Sequence, residues 1–241
     1  GNYNVKLKVT SLSGCSDSST QIVNVFANPI ANAGTDTTIC EGENYQLQAS
    51  GGVVYTWNAA ASLSCTNCAN PIANPTVTTD YIVTVTSLDG CIGVDTVTIN
   101  VNAKPTAAIA NLPITECDGA TVGLTDASTI TSGNIVNWNW NFGNAITSTM
   151  QNPTATYTTP NNYTVTLVVS SDFGCSDTTT GQVTINQSPT AAANFDTFIC
   201  QGDSTTLTAT GGTSYLWSNA NSLNCETCQV VVANPSVTTT Y

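Results

Sequence analysis

An internal repeat constrains the fold of this chain more than any other feature of its sequence. When the 241-residue sequence is aligned with itself at an offset of 160 residues, 38 of 81 positions are identical and no gap is needed. The matched segments are residues 1–81 and 161–241, and Gly14-Cys15, for example, returns as Gly174-Cys175. A match of this quality indicates a duplicated folding unit, so the chain holds about one and a half copies of a 160-residue unit.

Proline marks the boundaries inside this unit. Pro29, Pro105 and Pro189 each begin an Ala-rich stretch that is predicted to be extended. We expect both ends of the chain to be cuts within modules. The sequence therefore predicts the C-terminal strands of one module (1–27), a complete module A (28–103), a complete module B (104–187) and the first part of another module A (188–241).

Period-two alternation of apolar and polar residues dominates every segment. The clearest case is residues 137–142, where three aromatic side chains alternate with three asparagines. No segment keeps a period of 3.6 residues, so the predicted fold class is all-β, with small antiparallel sandwiches in tandem along an elongated rod. The predicted strands are Tyr45–Ala49, Val53–Asn58, Tyr81–Thr86 and Val94–Val101 in module A, and Thr121–Thr125, Ile135–Phe142, Tyr163–Ser170 and Thr178–Asn186 in module B.

The charge composition excludes several classes of function. Charged residues make up 7% of the chain, with three Lys+Arg, no His, fifteen Asp+Glu and a net charge of −12. Such a chain cannot neutralise a row of phosphates, so nucleic acid is excluded as a partner. Without histidine, Ser-His-Asp and Cys-His centres are excluded, and we expect no enzyme activity and no cofactor. No apolar run approaches the roughly 20 residues of a membrane span, so none is expected here.

Module B carries the motifs of a known family. The residues are Trp140-Asn141-Phe142-Gly143-Asn144, Asn152-Pro153, Tyr157 and the run 163–167. In these motifs module B resembles a PKD domain, which has an immunoglobulin-like sandwich fold. The family pattern reads W-D-F-G-D-G, whereas Asn141 and Asn144 stand here in place of two carboxylates, so the resemblance does not extend to a calcium-binding or acidic role for this loop.

Module A is similar to the Ig-like repeats of very large Bacteroidota surface proteins. Its motifs are Ala33-Gly34 with Asp36, Ile39-Cys40, Gly51-Gly52 with Tyr55 and Trp57, Leu63-Ser64-Cys65, and the run from Asn74-Pro75 to Tyr81.

Together the two resemblances imply where the protein works. Such proteins are exported by type IX secretion and act as gliding adhesins, attachment proteins or surface filaments. The implied location is the cell surface, outside the cell and associated with the outer membrane. The implied partners are neighbouring repeats of the same chain, surface polysaccharide or other cells, and the outer-membrane secretion and motility machinery.

Ten cysteines in an acidic chain indicate an oxidising compartment. Module B has two, and module A has two at equivalent places together with a close pair that module B lacks, so the outer and close pairs are predicted to bond independently. Cys15 and Cys200 are then left over, because at the 160-residue offset their partners fall outside the chain. The predicted bonds are Cys40 with Cys91, Cys65 with Cys68, Cys117 with Cys175, and Cys225 with Cys228.

The close pairs also allow other interpretations. Cys65-Thr66-Asn67-Cys68 and Cys225-Glu226-Thr227-Cys228 have the spacing of a zinc knuckle or a redox site. Zinc would need two further Cys or His ligands, and a redox motif would need a helix N-terminus, so a structural loop staple is the favoured interpretation.

Three further candidates remain at this stage. The tryptophans and tyrosines could form a sugar-stacking platform, although core packing is favoured. Asp36, Glu41 and Glu43 form a weak calcium candidate, against a solvated acidic loop. Asp-Thr/Ser tripeptides resemble the O-glycosylation acceptors of Bacteroidota surface proteins, and the candidate acceptors are Thr37, Thr96, Thr178 and Ser204.

The sequence thus predicts a structural and adhesive function. We expect a stalk segment of a very large extracellular repeat protein, a cell-surface adhesin or filament, that projects a binding tip or surface for attachment or gliding. The alternatives are an array of polysaccharide-binding modules and a spacer within a secreted multidomain hydrolase.

Overall fold

The structure is a computed structural model that describes residues 1–58 and 60–241. Strands dominate these residues, and the only helical elements among them are two 3-10 turns at Ala60–Ser62 and Ala220–Ser222. The all-β prediction is therefore confirmed. Within the described residues, no helix has the length and apolar character needed to cross a bilayer.

Module A contains two facing groups of strands, preceded by a hairpin of β1 (Asn2–Thr10) and β2 (Ser16–Asn24). The larger sheet has the strand order β3-β8-β7-β5, and β4 pairs with β6. The strands of module A are β3 (Thr37–Cys40), β4 (Tyr45–Gln46), β5 (Val54–Trp57), β6 (Ile72–Ala73), β7 (Thr79–Thr86) and β8 (Ile92–Asn102).

Module B repeats this plan with a wider sheet. Its strands are β9 (Ile114–Cys117), β10 (Ala120–Gly123), β11 (Ile135–Asn141), β12 (Thr147–Ser148), β13 (Thr154–Tyr157), β14 (Asn161–Ser171) and β15 (Ser176–Asn186). The five-stranded sheet has the order β12-β11-β14-β15-β9, and β10 pairs with β13. A three-stranded sheet follows, built from β16 (Ala192–Ala193), β17 (Thr205–Thr210) and β18 (Val230–Ala233).

Alternation along the strands places one face of each sheet in a core. In β14, Tyr163, Val165, Leu167 and Val169 are buried while the residues between them are more exposed. They pack with Trp140, Phe142 and Tyr157 in module B, and a separate cluster in module A is built around Trp57, Tyr81, Val83, Val85 and Ile99. Each module therefore has its own apolar core.

The hairpin β1–β2 shows how much the facing sheet of a module contributes to the burial of apolar side chains. Leu7 is 64% exposed, whereas Leu167, its counterpart at the 160-residue offset, is 0% exposed. The two hairpins have the same antiparallel pairing, but Val122 and Tyr157 from the second sheet of module B help to cover Leu167. Burial of this face thus depends on packing between sheets and not on the hairpin itself.

Two short parallel strands were absent from the sequence prediction. β3 runs parallel to the end of β8, with Cys40 opposite Asn102. β9 runs parallel to the end of β15 in the same way, with Cys117 opposite Asn186. The last long strand of each module therefore ends beside a cysteine from the start of that module.

Candidate functional site at the junction between modules

A disulfide joins the two complete modules. Cys40, at the end of β3 in module A, is bonded to Cys175, in the β14–β15 hairpin of module B. Their Cα atoms are 5.7 Å apart and 135 residues apart in sequence. Cys175 is buried at 1% exposure, and its Sγ lies 4.0 Å from the carbonyl oxygen of Asn102, where β8 of module A ends. The bond therefore ties the hairpin of one module to the last strand of the preceding one.

The predicted pairings of Cys40 with Cys91 and of Cys117 with Cys175 are wrong. Cys91 directly precedes β8, an 11-residue strand, whereas Cys40 lies opposite the last residue of that strand. At roughly 3.3 Å per residue the two cysteines lie about 35 Å apart, while a disulfide needs Cα atoms within about 7 Å. Cys117 and Cys175 stand at opposite ends of β15 for the same reason.

A tight turn presents Cys175 to the preceding module. Ser171 N donates to the carbonyl oxygen of Cys175 at 2.8 Å, and Gly174 N donates to the carbonyl oxygen of Ser171 at 3.0 Å. Gly174 has a φ of 82°, which favours glycine because a Cβ is strained there. The Ser171 hydroxyl also accepts a hydrogen bond from Cys175 N at 3.2 Å. These contacts fix the direction in which the cysteine points.

The strand end that carries Cys40 is held by its own acidic residues. Glu41 N donates to the carbonyl oxygen of Asn102 at 2.9 Å, which extends the parallel pairing by one residue. The Glu43 carboxylate accepts a hydrogen bond from Cys40 N at 2.9 Å. Cys40 is thus held at the edge of module A that faces module B.

A salt bridge lies beside this disulfide at the junction. Lys104 Nζ lies 3.1 Å from a carboxylate oxygen of Asp177, and the other oxygen accepts a hydrogen bond from Ala107 N at 2.9 Å. Mainly because of the hydrogen bond from Ala107, with a further contribution from Lys104, the pKa of Asp177 lies below its ordinary value of 3.8. Asp177 therefore anchors the start of module B to its hairpin in the ionised form.

We expect Asp177→Asn to lower the free energy of unfolding by about 1 kcal/mol at pH 7, because solvent screens this partly exposed charge. A lowered pKa stabilises the fold above the ordinary carboxyl pKa, and this stability is lost as the pH falls through the lowered value. The difference in the free energy of unfolding between wild type and variant should therefore become smaller below about pH 4.

Urea denaturation at pH 7 and pH 3 measures this. The matched control is Asp17→Asn in β2, since Asp17 is exposed and accepts only a local hydrogen bond, from Ser18 N, among the described residues. An equal effect at both sites, or a gap that does not change with pH, would contradict the role of the junction.

The two close cysteine pairs form local disulfides. Cys65 and Cys68 have Cα atoms 6.0 Å apart, and Cys225 and Cys228 have Cα atoms 5.6 Å apart. In the first loop Trp57 Nε1 donates to the carbonyl oxygen of Cys68 at 2.9 Å, and Trp217 makes the same bond to Cys228. Each bond therefore shapes a loop that accepts the indole N–H of a partly or fully buried tryptophan.

The structure does not assemble the calcium candidate. One Asp36 oxygen accepts a hydrogen bond from Thr98 N at 2.8 Å, and the Glu43 carboxylate accepts one from Cys40 N. Within the described residues, no group of three or more acidic, Cys or His side chains could hold a metal ion. The carboxylates of Asp36 and Glu43 therefore bind two different backbone N–H groups around the junction strand, and Glu41 contributes its own N–H to the pairing with Asn102.

The candidate glycosylation acceptors lie at different depths. Thr96, Thr178 and Ser204 are exposed, whereas Thr37 is half-buried in β3. The acidic residue before Thr96 is engaged, since Asp95 accepts a hydrogen bond from Ala33 N at 2.8 Å. Glycosylation at these positions stays a prediction.

The aromatic side chains do not form a surface platform in the two complete modules. Trp57 and Trp140 are 3% and 0% exposed. Trp138 is half-buried, and its Nε1 donates to the Asp126 carboxylate at 2.7 Å. Sequence reasoning missed Asp126, which also accepts hydrogen bonds from Ser128 N and Gln151. Asp126 lies in no motif identified from the sequence, so nothing in the sequence pointed to it.

Comparison with known proteins agrees with this fold in module B. Residues 102–185 match the PKD domain family. The Pre-pro-metalloprotease PrtV of Vibrio cholerae serotype O1 is 41% identical over 81 residues, which cover 32% of this chain and 9% of the length of that protein. The chain therefore corresponds to a small part of that relative.

Two solved structures of PKD1 domains are similar to part of this chain. The PKD1 domain of Vibrio anguillarum Epp is 31% identical, with 36% of this chain and 99% of that chain covered and a TM-score of 0.33. The PKD1 domain of the Vibrio cholerae metalloprotease PrtV is 33% identical, with 35% and 96% covered and a TM-score of 0.29. The family match thus places a PKD domain at residues 102–185, about a third of the chain.

Proposed function

We propose that this chain is a stalk segment of a large extracellular repeat protein, built from alternating modules A (28–103) and B (104–187). The observation that carries the proposal is the Cys40–Cys175 bond, which fastens one module to the next. A disulfide between modules restricts their relative movement, which suits a rod that transmits force along the chain. The 160-residue repeat supports the same reading, because an array lengthens by duplication.

The proposed mechanism is mechanical projection. Each module has its own core, and the junction joins modules through both the main chain and a disulfide. Pulling on the chain therefore loads two covalent connections at the junction, and the disulfide limits how far an unfolded module can extend. A stalk of this kind would hold a binding tip or surface away from the cell for attachment or gliding.

The cellular setting is part of the proposal. The resemblance of module A to Bacteroidota surface repeats supports an outer-membrane-associated protein exported by type IX secretion. The chain has few lysines and no arginine, so most polar surface side chains are Thr, Asn and Ser. Charges normally protect exposed strand edges, and O-glycans on Thr96, Thr178 or Ser204 would add to the few charges available here. The proposed partners are neighbouring repeats, surface polysaccharide or other cells, and the secretion and motility machinery.

A second candidate function is a spacer in a secreted multidomain hydrolase. The 41% identity to a segment of the Pre-pro-metalloprotease PrtV favours it, because a PKD domain there belongs to a protease. In that role modules A and B would separate a catalytic domain from other parts of the protein. Both functions need an extended arrangement of modules, and they differ in what the modules carry.

Small-angle X-ray scattering of the full chain tests the stalk. At about 35–40 Å per module, the chain is expected to exceed about 100 Å in length and to have a radius of gyration of about 30 Å. A compact globule of this length would have a radius of gyration of about 18 Å. A value near 18 Å under oxidising conditions would contradict the proposal.

A further inference from the structure

Six cysteines outside the close pairs occupy two positions of the repeated sequence. The strand-end position is followed by X-Gly; it holds Cys40 and Cys117 at the ends of β3 and β9, and by sequence it also holds Cys200. The hairpin position ends a Ser-X-X-Gly-Cys turn and holds Cys15, Cys91 and Cys175. Only the junction between modules A and B has both positions within the described chain, and there the two cysteines are bonded.

The three hairpins have the same turn. The N–H of the first serine donates to the cysteine carbonyl oxygen at 2.8, 2.9 and 2.8 Å in the turns that begin at Ser11, Ser87 and Ser171. The glycine N–H donates back to the serine carbonyl oxygen at 2.9, 3.1 and 3.0 Å. Cys91 is therefore presented by the same backbone geometry as the bonded Cys175.

Cys91 lies against the segment that follows β2. Its Sγ is 3.9 Å from the carbonyl oxygen of Phe26, and Cys175 Sγ is 4.0 Å from the carbonyl oxygen of Asn102. Phe26 and Asn102 stand at the same place, two residues before modules A and B begin. The hairpin half of a junction is thus formed at the start of module A, and the strand-end half is the part the described chain does not contain.

Cys117 forms the opposite half. It pairs in parallel with Asn186 as Cys40 pairs with Asn102. The next backbone N–H continues both pairings, since Asp118 N donates to Asn186 at 3.0 Å and Glu41 N donates to Asn102 at 2.9 Å. Cys117 is exposed and makes no disulfide within the described residues. It is therefore positioned at the end of module B as Cys40 is at the end of module A.

We infer that the disulfide between Cys40 and Cys175 is one link of a ladder that repeats at every junction of the array. Cys117 bonds to the hairpin cysteine of a following module A, and Cys91 bonds to the strand-end cysteine of a preceding module B. Cys200 and Cys15 occupy the corresponding positions in the outer units. This inference rests on the proposed array, and it names the partner of each cysteine that stays unbonded here.

Each link forms by thiol–disulfide exchange with an external disulfide of the glutathione or protein-oxidase class. The thiolate of one junction cysteine attacks the external disulfide and releases one thiol. The second junction cysteine then displaces the other half, so two protein thiols become one disulfide and the oxidant gains two electrons and two protons. Intramodule pairing cannot compete, because the two cysteines of a module lie about 35 Å apart along its last strand.

The test lengthens the full chain by its own repeat. Tyr241 corresponds to Tyr81, so a second copy of residues 82–187 appended after Tyr241 continues the array in register. The protein is folded in a glutathione redox buffer, digested with pepsin without reduction and mapped by mass spectrometry. We expect a peptide that joins Cys117 to the second copy of Cys91, and complete loss of Cys117 alkylation.

The same map contains its own control. A bond from Cys200 to the second copy of Cys175 repeats the Cys40–Cys175 bond and reports that the added segment has folded. Cys117→Ser should leave the second Cys91 as a thiol and keep the Cys200 bond. If the Cys200 bond forms while Cys117 stays reduced, or if Cys117 bonds to Cys175, the ladder is wrong.

A second measurement tests the ladder even if the added segment does not fold. The secreted polypeptide from its natural source is mapped in the same way, and the ladder requires the junction cysteines there to be joined between modules. X-ray scattering of the extended chain separates the two proposals. An extended particle with reduced Cys117 overturns the ladder and leaves the stalk standing, whereas a compact particle overturns the stalk.

Discussion

Replacing Cys40 and Cys175 together by serine is expected to lower the free energy of unfolding by about 4 kcal/mol. The bond closes a loop with a sequence separation of 135 residues, and loops of this size lose about 4–5 kcal/mol of stabilisation on the chain-entropy model when the bond is removed. Part of the effect falls on module B, whose hairpin is then held to module A only through the linker. Urea denaturation followed by tryptophan fluorescence, without reductant, measures the change.

The matched control is Cys91→Ser with Cys117→Ser. It changes one hairpin and one strand-end cysteine of the same two modules, but neither is bonded among the described residues. We expect this control to change the free energy of unfolding by less than about 0.5 kcal/mol. A similarly large loss in both variants would support the intramodule pairing of Cys40 with Cys91 and of Cys117 with Cys175, because under that pairing each variant breaks both bonds.

Trp140→Ala is expected to destabilise module B by about 3–5 kcal/mol. Trp140 is 0% exposed and lies in β11, opposite Leu167 of β14 and Ser148 of β12. Removing its ring leaves a large cavity between the two sheets, which the surrounding strands can fill only in part. Thermal unfolding followed by near-UV circular dichroism should show module B melting earlier.

Asn139→Ala is the matched control for this substitution. Asn139 is the neighbouring residue in β11 and points to the exposed side of the sheet. Its loss should stay within about 0.5 kcal/mol. The module A core around Trp57 and Tyr81 is separate, so its transition should not shift in either variant, and a common shift of both modules would contradict two independent cores.

Much of the fold follows from local patterns in the sequence. The predicted strand Tyr163–Ser170 lies within β14, and the predicted Ile135–Phe142 matches β11 to within one residue. Both are long and alternate strictly, so one face must be buried. Strands such as β3 and β9 escaped prediction because four residues are too few to show a period, and parallel pairing joins segments far apart in sequence.

Contacts between segments far apart in sequence also explain why the disulfide at the junction was not predicted. The close pairs could be predicted from spacing, because only two residues separate Cys65 from Cys68 and a tight loop brings the two side chains together. The junction cysteines could not, because similar positions in modules A and B suggested a bond within each module. The missing information was that each module's two outer cysteines lie at opposite ends of one strand.

By itself the sequence determined the all-β class, the 160-residue repeat and the separate cores, since alternation, self-similarity and turn residues are local or periodic properties. Only the tertiary structure decided which cysteines meet. Parallel pairing carries Cys40 to the far end of β8, and module stacking brings the next hairpin to that end. A bond that joins two modules depends on how they are placed together, which no pattern within one module records.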